Sequence, residues 1–325
     1  MPELAARRLC TATIRRWTTA EGRSSRGNVD TKSAQSRPTF VASVPLGGLA
    51  SPLGDGWTAT DTATKDKGEL HVHSWGRASQ PRVVCLHGVT GHGGHFAPLG
   101  RSLTGCEVLA PDLLGHGRSR HAPPWSIDAH VEELLGVAGD RPGTWLGHSF
   151  GARLVLELAA RAPHLVERVV LLEPALHLPP HVALLAATSA LAGRTYASLA
   201  DAVEGRYEES VLSTAPRELV ASELAEHLVQ GDDGRFRYRF TRSAIVTAFG
   251  ELATRPPPFS IADVPTLVVL GRTSYLTYDL HLDDHRAELG DLLQVVVVEG
   301  GHTILWDAFD QTAEAIAEFV AARAA

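Results

Sequence analysis

With 325 residues, 44% of them hydrophobic, the chain is long enough for one large α/β domain or two small ones. A net charge of −7 argues against nucleic acid as a partner, and three cysteines without metal spacing (Cys10, Cys85 and Cys106) argue against a disulfide framework. No run of about 18 apolar residues occurs, so neither a spanning helix nor a membrane partner is expected, and the expected location is the cytoplasm.

In chain order, residues 1–37 come first, with Arg7, Arg8, Arg15, Arg16, Arg23, Arg26, Lys32 and Arg37 against Glu3, Glu21 and Asp30. A secretory signal would need an apolar stretch here, and none follows, so a disordered basic tail is expected. Residues 38–68 are rich in Gly, Pro and Thr and are expected to wrap the domain surface. Residues 69–75 alternate apolar and polar positions as a strand does. Short apolar runs follow at 82–87, 107–111, 144–147, 169–173, 266–271 and 294–298. Val169-Val170-Leu171-Leu172 and Val295-Val296-Val297-Val298 read as strands buried on both faces, as in a parallel sheet covered by helices. Helices are predicted at 126–138, at 152–162 (stopped by Pro163) and at 309–322. The alternation predicts an α/β fold with a mostly parallel central sheet flanked by helices.

The block 175–258 breaks that alternation. It reads as amphipathic helices without a strand, interrupted by Pro179-Pro180, Pro216 and the turn at 231–234, and closed by Pro256-Pro257-Pro258. A helical insertion there is expected to cover the carboxyl edge of the sheet, where ligands of open α/β sheets bind. The predicted organisation is a tail at 1–37, a core at 38–174 and 259–325, and a helical lid at 175–258.

Gly147-His148-Ser149-Phe150-Gly151 fits G-x-S-x-G, with the short strand Thr144-Trp145-Leu146 before it and a helix opening after it. This setting presents a serine hydroxyl on a tight turn at a helix start, which makes Ser149 the candidate nucleophile. Small neighbours are required there, and Gly147 and Gly151 are small. An oxyanion needs backbone donors. The Phe150 N–H is one candidate, and the Val89 N–H in His87-Gly88-Val89-Thr90-Gly91-His92-Gly93-Gly94 is the other. A phosphate-binding loop competes for this glycine-rich stretch, but the Lys-Ser/Thr of a P-loop is missing.

These segments, with Asp112-Leu113-Leu114-Gly115-His116-Gly117-Arg118-Ser119 and Gly300-Gly301-His302, occur in an order that resembles the α/β-hydrolase superfamily. The likeness spans residues 70–325 and is to its lidded, serine-nucleophile, esterase-like members, related to haloperoxidases and haloalkane dehalogenases. The resemblance implies the α/β-hydrolase fold with its lid after the sixth strand, and His302 as general base. It also implies that His87 and His116 are structural and that Asp112 belongs to a shaping loop. His148, though beside the nucleophile, is expected to point elsewhere. His281 and His285, four apart beside Asp283 and Asp284, read as a solvated helix face rather than a metal pair. No metal and no cofactor are expected.

The resemblance also implies an aspartate where this chain has Ser274. Another carboxylate must then partner His302. Glu173, ending the 169–173 strand, is the leading candidate, with Asp279 as the alternative. The expected function is hydrolysis of an ester-type bond in a small or medium, partly apolar small-molecule substrate through an acyl-enzyme. Amide, thioester, lactone and C–C bond hydrolysis remain open, as does a weakly active or non-catalytic binding protein on the same scaffold. The sequence assigns no oligomeric state.

Overall fold

Strand β3 (Arg82–Leu86) shows most directly why the apolar runs become a central sheet. Its successive side chains point to opposite faces, and both faces are covered. Val84 and Leu86 enter one core cluster, while Val83 and Cys85 enter another on the reverse side. The computed structural model describes residues 63–210, 215–276 and 279–322, so the predicted tail at 1–37 lies outside the described residues.

Among the described residues, eight strands build the sheet: β1 (Ala63–Lys67), β2 (Leu70–Trp75), β3, β4 (Glu107–Pro111), β5 (Gly143–His148), β6 (Val166–Leu172), β9 (Thr266–Gly271) and β10 (Leu293–Val298). Their spatial order is β1-β2-β4-β3-β5-β6-β9-β10. The β1–β2 and β2–β4 pairings are antiparallel and the others are parallel. Strand β3 is followed in sequence by β4 on one side and by β5 on the other, so the chain reverses its direction of winding at β3. A crevice opens at such a switch point, outside the carboxyl ends of the strands. The glycine-rich loop after β3 and the turn after β5 both lie there.

Three flanking helices fall where the sequence pattern expects them, at 127–138, 150–161 and 309–321, and two short ones, at 97–102 and 304–307, add to them. They are α1 (Ala97–Ser102), α2 (Ile127–Ala138), α3 (Phe150–Arg161) and, after β10, α9 (Ile304–Asp307) and α10 (Phe309–Ala321). Ser126 caps α2 by accepting the Ala129 N–H. The last flanking helix, α8 (Asp279–Leu289), precedes β10.

Three expectations need correction. Residues 63–67 are not surface wrapping but strand β1, turned into β2 through Gly68 at φ +62°. Strand β10 is not buried on both faces: it pairs only with β9 among the described residues, and Val297 is 49% exposed. A run of valines reports fit to a pleated surface, which an edge strand offers as well as a central one.

The third correction concerns the insertion between β6 and β9, which is not wholly helical. Helices α4 (Pro180–Ala192), α5 (Leu199–Ser210), α6 (Arg217–His227) and α7 (Arg242–Leu252) accompany a hairpin, β7 (Leu228–Gln230) with β8 (Phe236–Tyr238). The 231–234 turn closes that hairpin, whose strands are too short to show a period of two in the sequence. The insertion has its own apolar cluster, including Tyr196, Val203, Val220 and Leu224, and Trp306 from the main domain completes it. Among the described residues, no helix is long and apolar enough to cross a membrane.

Candidate active site

Three non-glycine residues have positive φ among the described residues: Ser149 at 55°, Glu173 at 46° and Asp263 at 42°. Such backbones cost on the order of 1–2 kcal/mol each and persist where packing forces them. Two of the three are residues that the sequence singled out, and the carboxyl ends of adjacent strands β5 and β6 bring them together.

At the turn after β5, Ser149 is the residue preceding α3, with φ 55° and ψ −117°. Its N–H donates to Leu172 O at 3.0 Å, and its own carbonyl accepts from Ala152 N–H at 3.0 Å. The neighbouring glycines are sterically required. A Cβ on Gly147 would stand 2.4 Å from Ala152 N, and one on Gly151 would stand 2.1 Å from Leu86 O. Both obstacles are backbone atoms and cannot swing aside. Gly151→Ala is therefore expected to lower stability by about 1–3 kcal/mol, as overpacking does, measured as a lower denaturant midpoint.

His302 follows β10 on a loop that packs closely on the end of β9: a Cβ on Gly271 would meet Gly301 O at 2.2 Å. Thr273 N–H donates to Gly300 O at 2.9 Å, and Gly301 N–H to Asp307 Oδ2 at 2.9 Å. His302 Nε2 stands 3.1 Å from Ser149 Oγ, and Nδ1 stands 3.2 Å from Glu173 Oε2. His148, beside Ser149 in the chain, is itself engaged. Its Nε2–H donates to His302 O at 2.8 Å, which steadies the loop, and burial keeps its imidazole neutral with a pKa well below the usual value.

Glu173 is 2% exposed, yet both its oxygens are engaged. Oε1 accepts the Gly271 N–H at 2.6 Å, and Oε2 accepts the Ser274 hydroxyl as well as facing His302. Ser274 Oγ in turn accepts the Leu276 N–H at 3.1 Å. A buried carboxylate is tolerable only when so partnered. Ser274 therefore supplies one of the hydrogen bonds that a buried carboxylate at 173 requires. In the sequence the serine stands as a loss, because the resemblance implies an aspartate there. The signal for its role was the coincidence of that loss with an acidic residue at the end of the neighbouring strand.

Asp279, the alternative acid, opens α8, and its side chain lies outside the described residues. On that helix, His285 is 1% exposed and packs against the Phe259 ring, so it is not on a solvated face as expected. A helix bearing mostly charged residues still buries one side, and His285 falls on it. The side chain of His281 lies outside the described residues.

The loop after β3 is held by histidines. Leu113 N–H donates to His87 Nε2 at 2.9 Å, which leaves the ring proton on Nδ1, and Nδ1–H donates to Gly88 O at 2.8 Å. Gly91 N–H donates to the same carbonyl at 3.0 Å. Fixing that carbonyl fixes the Gly88–Val89 peptide plane, and the Val89 N–H points the opposite way in a trans peptide. The Val89 and Phe150 N–H groups have no acceptor among the described residues. Gly88 approaches Ser149 closely, since a Cβ on it would lie 3.5 Å from Oγ. His116 Nε2–H donates to Val89 O at 2.7 Å.

Asp112 accepts the Gly93 N–H at 2.7 Å and the Arg118 N–H at 2.8 Å, which is the work of a loop-shaping residue. The insertion touches the same loop. His92 Nε2 and Glu223 Oε1 of α6 are 2.9 Å apart, and His227 Nε2–H donates to Thr90 O at 3.1 Å. Cys85 and Cys106 are free and buried.

A family model describing the alpha/beta hydrolase fold matches residues 81–309. Lipase LipV of Mycobacterium tuberculosis is 35% identical over 243 residues, covering 73% of this chain and 92% of that protein. The sn-1-specific diacylglycerol lipase ABHD11 of Mus musculus is 26% identical, covering 76% of this chain and 83% of its own. The crystal structure of an E-2-(acetamidomethylene)succinate hydrolase is similar with a TM-score of 0.71 at 21% identity, covering 80% of this chain and 99% of that one. This last likeness is one of fold.

Proposed function

The chain belongs to the α/β-hydrolase fold family, and from that premise we propose that it is a serine hydrolase cleaving carboxylic esters through an acyl-enzyme. The observation that carries this reading is the continuous chain Ser149 Oγ, His302 Nε2 at 3.1 Å, and Glu173 Oε2 at 3.2 Å from His302 Nδ1. In this reading His302 takes the Ser149 proton as Oγ attacks the ester carbonyl, and Glu173 holds the Nδ1 proton and stabilises the imidazolium. The tetrahedral oxyanion rests on the Val89 and Phe150 N–H groups, and each such donor is worth about 10²–10³ in rate. His302 then gives its proton to the leaving alcohol. A water activated by His302 releases the acid.

The lipase and diacylglycerol lipase relatives support an ester with an apolar acyl or alcohol part as substrate. We read the 175–258 insertion as a lid. Glu223 and His227 of the insertion contact the 87–94 loop, and its apolar cluster includes Trp306, four residues after His302 in the chain, which supports that reading.

A fluorophosphonate probe and short p-nitrophenyl esters test the reading. The folded protein is expected to take one label at Ser149 and to turn over the esters, and Ser149→Ala is expected to lose both. Unlabelled wild-type protein that leaves the esters intact would exclude it.

A further inference from the structure

Outside the candidate active site, β2 carries an arrangement that the proposed ester chemistry does not use. His71 and His73 are two residues apart on one strand, so both imidazoles stand on the same sheet face. Val72 pairs with Pro111 of β4, which brings the next residue, Asp112, level with them. One ligating atom from each of His71, His73 and Asp112 lies within 4.8 Å of the others.

His73 is 6% exposed, and its Nε2 sits 3.3 Å from Asp112 Oδ1 without hydrogen-bond geometry to any partner. A cavity of about 10 Å³ adjoins it, lined by His73, Asp112, His92, His227 and Glu226. That volume suits a single water molecule or ion. Arg239 also lines the cavity, and Glu226 with nearby Glu223 supplies opposing charge.

We propose that His71, His73 and Asp112 form a binding site for one divalent transition-metal ion, with the adjoining cavity holding its remaining water ligand. Two imidazoles and a carboxylate are a borderline-soft set suited to Zn²⁺ and its neighbours, not to the all-oxygen shells of Mg²⁺ or Ca²⁺. Ligand bonds of about 2.0–2.1 Å bring tetrahedral donors within roughly 3.5 Å of one another. Rotation of two imidazoles closes the remaining gap.

The site is linked to the loop that carries Val89. Asp112 Oδ1 is also the acceptor of the Gly93 N–H, so a bound cation competes for the oxygen that anchors that loop. Zinc is therefore expected to slow ester turnover, a consequence that rests on the proposed esterase reading, whereas binding itself does not.

The test is calorimetric titration of the metal-stripped full chain with Zn²⁺ alone, for wild type, His71→Gln, His73→Asn and His302→Ala, each checked for folding by its thermal melt. His71 is the less enclosed of the two histidines, so His71→Gln keeps the test valid if His73→Asn fails to fold. One zinc per chain is expected, with at least about tenfold weaker binding in each folded β2 variant and unchanged binding in His302→Ala. Ester turnover by wild type is expected to fall over the same zinc range, and that of His71→Gln to resist it. Absence of zinc binding at millimolar concentration, full affinity in the β2 variants, or loss in His302→Ala would each overturn the site. Zinc binding at this site with undiminished turnover would overturn only its link to the loop.

Discussion

Glu173→Gln is expected to lower kcat on a short p-nitrophenyl ester by about 10⁴-fold while leaving the fold intact. The glutamine is isosteric and can still accept the Gly271 N–H, but it cannot stabilise an imidazolium as a carboxylate does. If its NH₂ faces His302, the ring also takes the wrong tautomer. Asp279→Asn is expected to stay within about twofold of wild type, because Glu173 Oε2 already occupies the Nδ1 side of His302.

The hydrogen bond between Ser274 and Glu173 permits a stronger test. Ser274 Oγ bonds the same Glu173 oxygen that faces His302. A carboxylate carried on residue 274 can therefore deliver an oxygen to nearly the same point. The double variant Glu173→Asn with Ser274→Asp is expected to recover at least about tenfold of the activity lost in Glu173→Asn alone. Asparagine is chosen because it tolerates the positive φ at 173 better than most residues. Failure of Glu173→Gln to reduce kcat, with loss in Asp279→Asn, would transfer the acid role to Asp279.

The second large effect is on stability at mild acidity. Burial holds the imidazoles of His87, His116 and His148 below their ordinary pKa, and brings that of His95 to about 4 and those of His130 and His227 to about 3. In the unfolded chain each titrates near 6.5. Below about pH 6.5 the unfolded state therefore takes up protons that the folded state refuses, and stability falls as pH falls. Each such histidine costs up to about 1.4 kcal/mol per pH unit below that point. Acting together, they rival the roughly 5–15 kcal/mol that keeps a typical domain folded.

His92 works in the opposite sense. Burial disfavours its cation, but the hydrogen bond to Glu223 and that carboxylate's charge outweigh burial and raise its pKa. Its contribution is complete below about 6.5 and is lost as pH climbs through the raised value. The acid side of Glu223 lies lower, since its pKa is held to about 2, against burial, by the hydrogen bond and charge of His92. The melting temperature is thus expected to be highest near neutrality, to decline gently above it and to drop steeply from pH 6.5 towards 5. An unchanged melting temperature between pH 7 and 5.5 would contradict this account.

The elements that position Ser149 were legible in the sequence because they depend on local rules. A parallel strand buried on both faces reads as an unbroken apolar run, as 82–86 does, and a tight turn demands small residues, as Gly147 and Gly151 show. Ser149 and the histidine loop at 300–302 follow from those segments taken in order. What the sequence left open was set by relations between distant segments. Whether Glu173 or Asp279 faces His302 depends on how β6, β9 and β10 lie side by side, and a run of residues carries no trace of that adjacency.

The same holds for the smaller corrections. The valines of β10 sit at an edge because nothing among the described residues pairs beyond them, and the β7–β8 hairpin is too short to impose a period. His71 and His73 looked like ordinary alternation until the antiparallel partner strand brought Asp112 alongside. By itself the sequence determined the candidate nucleophile, the candidate base and the sheet, since backbone sterics and burial act locally. Only the tertiary structure decided which carboxylate faces His302, the donor duty of Ser274 and the polar cluster under the 87–94 loop, since hydrogen bonds and charge act across space rather than along the chain.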